Sequence, residues 1–207
     1  MKRVQGLYLV TTSLPIERLV EMVEKSVEGG VSLVQLRDKE ASAEELYYKG
    51  AAILPILKKW NVPLIINDHW SVAKRLGVGL HIGIDDGDPR EARDFLGSNS
   101  LLGITVHTDI QRVFQFQKEI DYVGVGPVFP TSTKKDARPV CGIDGLKRMV
   151  DASSIPVVSI GGIDAQNIAL LRPIKPAAVA VCSAICSAAD PKKAVQNLIQ
   201  KWRVRPD

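Results

Sequence analysis

Gln35 and Arg37 stand two positions apart in "VQLRDKE". In an extended strand that spacing puts both on one face, with Val34 and Leu36 on the other. The apolar pair can pack on helices while the polar pair points inward. An arginine offers a forked donor to phosphate, and Lys39 adds a compact charge just beyond. The competing reading is an ion pair with Asp38 or Glu40. An inward Gln-x-Arg is costly to bury without a ligand. Asp68 and Asp86 stand where "PLIINDH" and "GLHIGIDD" end. Two carboxylates at neighbouring strand ends can share one hard cation, with phosphate oxygens and water completing its shell. Either aspartate could instead cap a helix, and Asp85 and Asp86 divide cap and ligand in either order.

Further along, "PVFPTSTKKDARP" ends an apolar run in hydroxyls and cations. Thr131 and Thr133 can bind terminal phosphate oxygens, and Lys134 can stabilise a departing anion. An ordinary surface loop also collects such residues. "VVSIGGI" and "AVAVCSAI" end in small residues, so Gly161, Gly162 and Ser183 let backbone N–H groups approach an anion, helped by the helix start expected after each strand. A tight turn alone would also need the glycines. Together these groups describe two anion sites, one rich in cations and metal-assisted, the other a backbone cradle for a monophosphate. His69, His81 and His107 near consecutive strand ends suggest a rival, a hydrolase with histidine-bound zinc. No His-x-His pair supports it, and His81 within its strand fits a satisfied core imidazole.

What must position these groups is a repeated strand–helix unit. Short β-branched runs, "GLYLVTT", "SLVQLRD", "PLIINDH", "GLHIG", "LLGITV", "YVGVGPVF", "PVVSIGG" and "AVAVCSA", alternate with amphipathic stretches. Ile16, Leu19, Val20, Val23 and Val27 mark one helical face, ended by Gly29 and Gly30. Ser42 with Glu45 reads as a capping box for a helix continuing through Leu46, Ile53 and Leu57, which Pro55 should kink or divide. Val195, Leu198, Ile199 and Trp202 mark the last helix. Such alternation predicts an α/β fold, a single-domain (β/α)8 TIM barrel over residues 1–207, compact against the usual length of about 250. A doubly wound open sheet would also alternate, but "LVTTSLP" replaces the glycine-rich fingerprint after its first strand. A barrel places function at the C-terminal ends of its strands. The candidate residues fall there: Gln35, Arg37, Lys39, Asn67, Asp68, His69, Asp85, Asp86, Thr105, His107, Gly161, Gly162 and Ser183, with Thr131 in the stretch that ends strand six.

Lysines and arginines exceed aspartates and glutamates by 27 − 23 = +4. That excess suits a small anionic substrate and falls short of a nucleic-acid footprint. Three cysteines without a Cys-x-x-Cys pair argue against a disulfide framework and a cysteine zinc site, and point to a reducing cytoplasm. The N-terminal apolar run is too short for a signal peptide or a membrane span.

In their order along the chain, "QLRDK", "IINDH", "GLHIGIDD", "GITVH", "GPVFPTSTKKDA", "SIGGI" and "CSAI" resemble the thiamin-phosphate synthase family, over nearly the whole length. The resemblance implies a (β/α)8 enzyme that joins hydroxymethylpyrimidine diphosphate to thiazole phosphate with Mg2+, releasing pyrophosphate by a dissociative route. It implies that Gln35, Arg37, Lys39 and Asn67 bind the pyrimidine diphosphate, with Thr105 beside the pyrimidine. Asp68 and Asp86 would hold Mg2+, and Thr131, Thr133 and Lys134 would close on the reactants or pyrophosphate. Gly162, Cys182 and Ser183 would cradle the thiazole phosphate. Arg37, Lys39 and Lys134 become the catalytic cations, and self-association, weak or stable, is implied. Members commonly carry Gln where Ile84 stands and Ser where Thr105 stands. The alternatives are a thiazole tautomerase, which needs no diphosphate or metal site, and a non-catalytic precursor-binding regulator.

Overall fold

The computed structural model describes residues 4–131 and 139–203. Eight parallel strands close into one barrel in chain order, each hydrogen-bonded to the next and β8 to β1. They are β1 (Gly6–Val10), β2 (Leu33–Leu36), β3 (Leu64–Asn67), β4 (Gly79–Ile82), β5 (Leu102–Thr105), β6 (Tyr122–Val125), β7 (Val157–Ser159) and β8 (Ala178–Val181). Each lies inside one of the eight runs read from the sequence.

Alternation sorts each strand between two apolar layers. On β1, Leu7 and Leu9 join the large outer layer between barrel and helices, while Tyr8 and Val10 fill the interior. The interior layer also holds Leu33, Ile65, Tyr122, Val158, Ala178 and Ala180. Burying each large aliphatic side chain of this kind contributes roughly 1.5–3 kcal/mol.

The helices follow their sequence signals. Helix α1 (Ile16–Gly29) buries Leu19, Val23 and Val27 and stops at Gly30, whose φ of 110° only glycine adopts at little cost. Helix α2 (Ala43–Lys59) carries the complete Ser42–Glu45 capping box. Pro55 does not divide it: α2 runs unbroken, with Pro55 on the exposed side, where water can satisfy the freed carbonyl. Helices α3 (Trp70–Leu76), α4 (Pro89–Leu96), α5 (Ile110–Phe116) and α6 (Gly142–Ala152) follow β3 to β6. After β7 no helix starts at once; a single 3-10 turn, Ile168–Leu171, comes only after Asp164 and Asn167 have tied the chain into local side-chain turns. Helix α7 (Ser183–Cys186) follows β8 directly, and α8 (Pro191–Arg203) packs on α1, its Val195 and Leu198 buried.

Candidate active site

A cavity of about 360 Å³ opens where the strands end. Gln35, Arg37 and Lys39 line it from β2, Asn67 and Asp68 from β3, and Asp86 from beyond β4. Thr105 of β5, Thr131 after β6, Gly162 after β7, and Cys182 and Ser183 after β8 complete the predicted set. Thr133 and Lys134 lie outside the described residues.

The pleat of β2 accounts for the cationic wall. Residues 35, 37 and 39 face the cavity, and Asp38 faces away, buried, where Lys49 donates to it at 2.5 Å and Ser13 also bonds it. Burial raises the Asp38 pKa, but the hydrogen bonds from Lys49, Ser13 and the Glu40 amide outweigh it and hold it below the usual range. The local carboxylate is therefore spent on Lys49. Among the described residues neither Arg37 nor Lys39 forms an ion pair, so both cations remain for a ligand.

Asp68 ends β3 at a φ of 61°, a left-handed conformation that Asp and Asn tolerate better than most residues. It is not a helix cap: His69 holds that position in α3 without a side-chain bond. Asp86 accepts from the Gly83 amide at 2.9 Å, and α4 is capped by Asp88. Neither Asp85 nor Asp86 thus serves as the cap. Burial pushes the Asp68 carboxyl up, and the charge of Asp86 and a direct contact with it push it further. Asn67 donates to Asp68 at 2.5 Å and Lys39 offsets part of the charge, yet the balance stays raised. Two facing carboxyls with oxygen-only donors fit a hard divalent cation, which would replace their mutual repulsion with attraction.

The opposite side of the mouth is almost bare backbone. Gly161 and Gly162 have φ of 102° and 63°, and a Cβ on Gly162 would lie 2.3 Å from the Pro130 carbonyl oxygen. The segment after β6 is zipped to β7 by Val128 N–H to Ile160 O and Phe129 N–H to Gly161 O, both 3.0 Å. Beside it, the first N–H groups of α7 at Ser183 and Ala184 have no partner within their own helix. Cys182 touches Cys186, and the Arg37 charge reaches its thiol.

The floor is a chain of polar side chains. Gln35 Nε2 donates to Tyr8 Oη at 2.9 Å, Tyr8 Oη meets Tyr122 Oη at 2.9 Å, and Tyr122 Oη meets His81 Nδ1 at 3.0 Å. His81 Nε2 reaches Thr105 Oγ1 at 3.0 Å. Burial pushes both tyrosine pKa values up, keeping the phenols protonated. His107 is engaged likewise, by Thr108 and the Pro139 carbonyl. The ring nitrogens of His81 and His107 are thus held in hydrogen bonds, which lends the zinc reading no support at either.

Residues 7–185 match the model of a family described as thiamine monophosphate synthase. The chain belongs to that family. It is 39% identical over 199 residues to the thiamine-phosphate synthase of Vibrio campbellii, covering 95% of this chain and 98% of that protein. It is 39% identical over 203 residues to that of Methanobrevibacter smithii, covering 97% and 96%. The solved thiamine phosphate pyrophosphorylase from Pyrococcus furiosus superimposes with a TM-score of 0.82 at 29% identity, covering 95% of each chain. A 3-hexulose-6-phosphate synthase structure, at 15% identity and TM-score 0.68, shares the barrel alone.

In this family member, Thr105 meets His81 through its hydroxyl, so its methyl costs the floor no bond. Ile84 lines the cavity, and its carbonyl accepts from Arg112 at 3.1 Å. The sequence reading missed Tyr8 and Tyr122 and left His81 as core. The signal that marks them is a pair of strand glycines. A Cβ at Gly103 would lie 2.0 Å from the Tyr122 ring, and one at Gly124 would touch the His81 ring at 3.4 Å.

Proposed function

We propose that the protein is a thiamin-phosphate synthase, a transferase joining hydroxymethylpyrimidine diphosphate to thiazole phosphate. The observation that carries this is the charged half of the mouth: two cations, Arg37 and Lys39, without an ion pair among the described residues, beside the facing carboxyls of Asp68 and Asp86. A diphosphate needs both elements, and a monophosphate isomerase needs neither. The thiazole tautomerase and the precursor-binding regulator draw no support from the matched relatives, and both leave the aspartate pair without a role.

The reaction breaks the bond between the pyrimidine methylene carbon and the diphosphate oxygen, then forms one from that carbon to the thiazole nitrogen. Gln35, Asn67 and Thr105 orient the pyrimidine on the cavity floor. Arg37 and Lys39 hold the departing pyrophosphate by direct charge. Mg2+ bound by Asp68 and Asp86 would neutralise charge on the diphosphate. Gly162, Cys182 and Ser183 cradle the thiazole phosphate, which brings its nitrogen to the reacting carbon. Thr131 stands at the cavity edge, and the family motif assigns Thr133 and Lys134 to the same pyrophosphate. Residues 1–207 act as one catalytic unit in this reading. A cytoplasmic location fits the three free cysteines, and among the described residues no helix is long and apolar enough to cross a membrane. Self-association into a homo-oligomer belongs to the reading on the resemblance alone.

The test mixes folded protein, both substrates and Mg2+. Thiamin phosphate and pyrophosphate are expected in equal amounts, with loss of turnover in excess chelator. No product, or tautomerisation of a carboxylated thiazole phosphate without any diphosphate, would overturn the proposal.

A further inference from the structure

We infer that Tyr8, Tyr122 and His81 form a one-way hydrogen-bond relay that fixes Gln35 as an acceptor and Thr105 as a donor toward the ligand, and so reads the donor–acceptor pattern of its ring. The inference rests on the synthase reading for the identity of that ring.

The direction follows from the Gln35 amide, whose Nε2 faces Tyr8, and from satisfying each buried proton in turn from there. Tyr8 and Tyr122 are 1% and 0% exposed, so neither hydroxyl has water as an alternative. Gln35 Nε2 donates to Tyr8 Oη. Among the described residues the Tyr8 proton then has one acceptor in reach, Tyr122 Oη, 2.9 Å away. The Tyr122 proton must pass to His81 Nδ1. If His81 carried its proton on Nδ1 instead, the Tyr122 hydroxyl would be stranded, at a cost of about 1–3 kcal/mol. His81 is therefore the neutral Nε2–H tautomer, donating to Thr105 Oγ1. That uses the acceptor side of Thr105 and frees its proton for the cavity. At the other end, Gln35 Oε1 has no hydrogen bond among the described residues, and Gln35 lines the same cavity.

The two ends thus offer one acceptor and one donor. An aminopyrimidine supplies the complement, an amino N–H and a bare ring nitrogen. Its 4-oxo analogue, with a ring N–H and a carbonyl oxygen, inverts it. The three relay residues are positioning residues: they act through Gln35 and Thr105. Room for Tyr122 is built in, because Gly103 leaves space that a methyl would take from its ring.

The first test uses the protein alone. Long-range proton–nitrogen correlation spectra of histidine-labelled protein, assigned with His69→Gln and His107→Gln, should show His81 as Nε2–H. An Nδ1–H tautomer, or an imidazolium at neutral pH, overturns the relay. Because no substrate is present, this outcome is independent of whether the protein makes thiamin phosphate. The second test measures binding of the pyrimidine diphosphate and its 4-oxo analogue to wild type, Tyr122→Phe and Tyr8→Phe. Wild type should prefer the amino compound, and each variant should lower that preference about tenfold, the worth of one hydrogen bond. Affinity for thiazole phosphate should not change. Equal weakening of both pyrimidines, or of thiazole phosphate as well, is what mere loosening of the core would give and would overturn the proposal. Two substitutions are used so that one remains if the other fails to fold.

Discussion

The two halves of the barrel mouth are built differently. From β2 to β4 the chemistry sits on long or charged side chains: Arg37, Lys39, Asn67, Asp68 and Asp86. From β7 to β8 it sits on backbone, with Gly161, Gly162 and the start of α7 leaving side chains out of the way. The first half stores electrostatic tension, since Asp68 is forced up by burial and by Asp86. A site for a leaving group must respond to charge that develops and departs, whereas a site that only holds a phosphate gains from rigid N–H groups. Arg37 stands at the seam, because closure through β1 brings it near Cys182.

Four substitutions can break or sharpen this division. The largest effect is expected from Arg37→Ala, which removes the forked cation proposed to face the pyrophosphate. Initial rates should show kcat/KM for the pyrimidine diphosphate falling about 1,000-fold. Next comes Asp68→Asn, which suits the left-handed backbone and keeps the shape. Turnover at saturating Mg2+ should drop about 100-fold, while thiazole phosphate binds as before. Without metal, the same change should raise the melting temperature by about 2 °C, since it removes a forced carboxylate. The sign with pH follows. In the window above the ordinary carboxylate range and below the raised Asp68 value, the folded state holds more protons than the unfolded state. Wild-type stability must fall as pH rises through that window, and Asp68→Asn should flatten the fall.

Gly162→Ala attacks the other half. The new methyl meets the Pro130 carbonyl and an unfavourable φ, so KM for thiazole phosphate should rise about tenfold with little change for the diphosphate. The smallest effect on activity belongs to Lys49→Met, on the outward side of β2. Urea unfolding should show a loss of roughly 2–3 kcal/mol from the stranded Asp38, with substrate affinities unchanged. Asp38 is depressed in the folded state, so its stabilisation is present above the usual carboxylate range and is lost as pH falls through its folded value. The variant should have lost most of it already at neutral pH.

The barrel was legible because hydrophobic period and turn residues agree along the chain, from the Gly29–Gly30 stop to the Ser42–Glu45 box. Where local rules misled, tertiary context or a neighbouring residue explains it. Pro55 lies on an exposed helix side, where its missing N–H costs little. Asp88, followed by Pro89, caps α4 in place of the two aspartates before it. The rim was legible because charged residues at strand ends have few reasons to gather there. The floor was not. Tyr8 and Tyr122 sit in apolar strands and look like core, and only their hydroxyls, meeting across the barrel between β1 and β6, reveal a second role.

The division of the mouth is tested most directly by one calorimetric set. Magnesium pyrophosphate and thiazole phosphate are each titrated into wild type, Asp68→Asn and Gly162→Ala. A crossover is expected: Asp68→Asn loses pyrophosphate and keeps thiazole phosphate, and Gly162→Ala does the reverse. If either substitution weakens both ligands by the same factor, the mouth is one undivided anion site and the account is wrong.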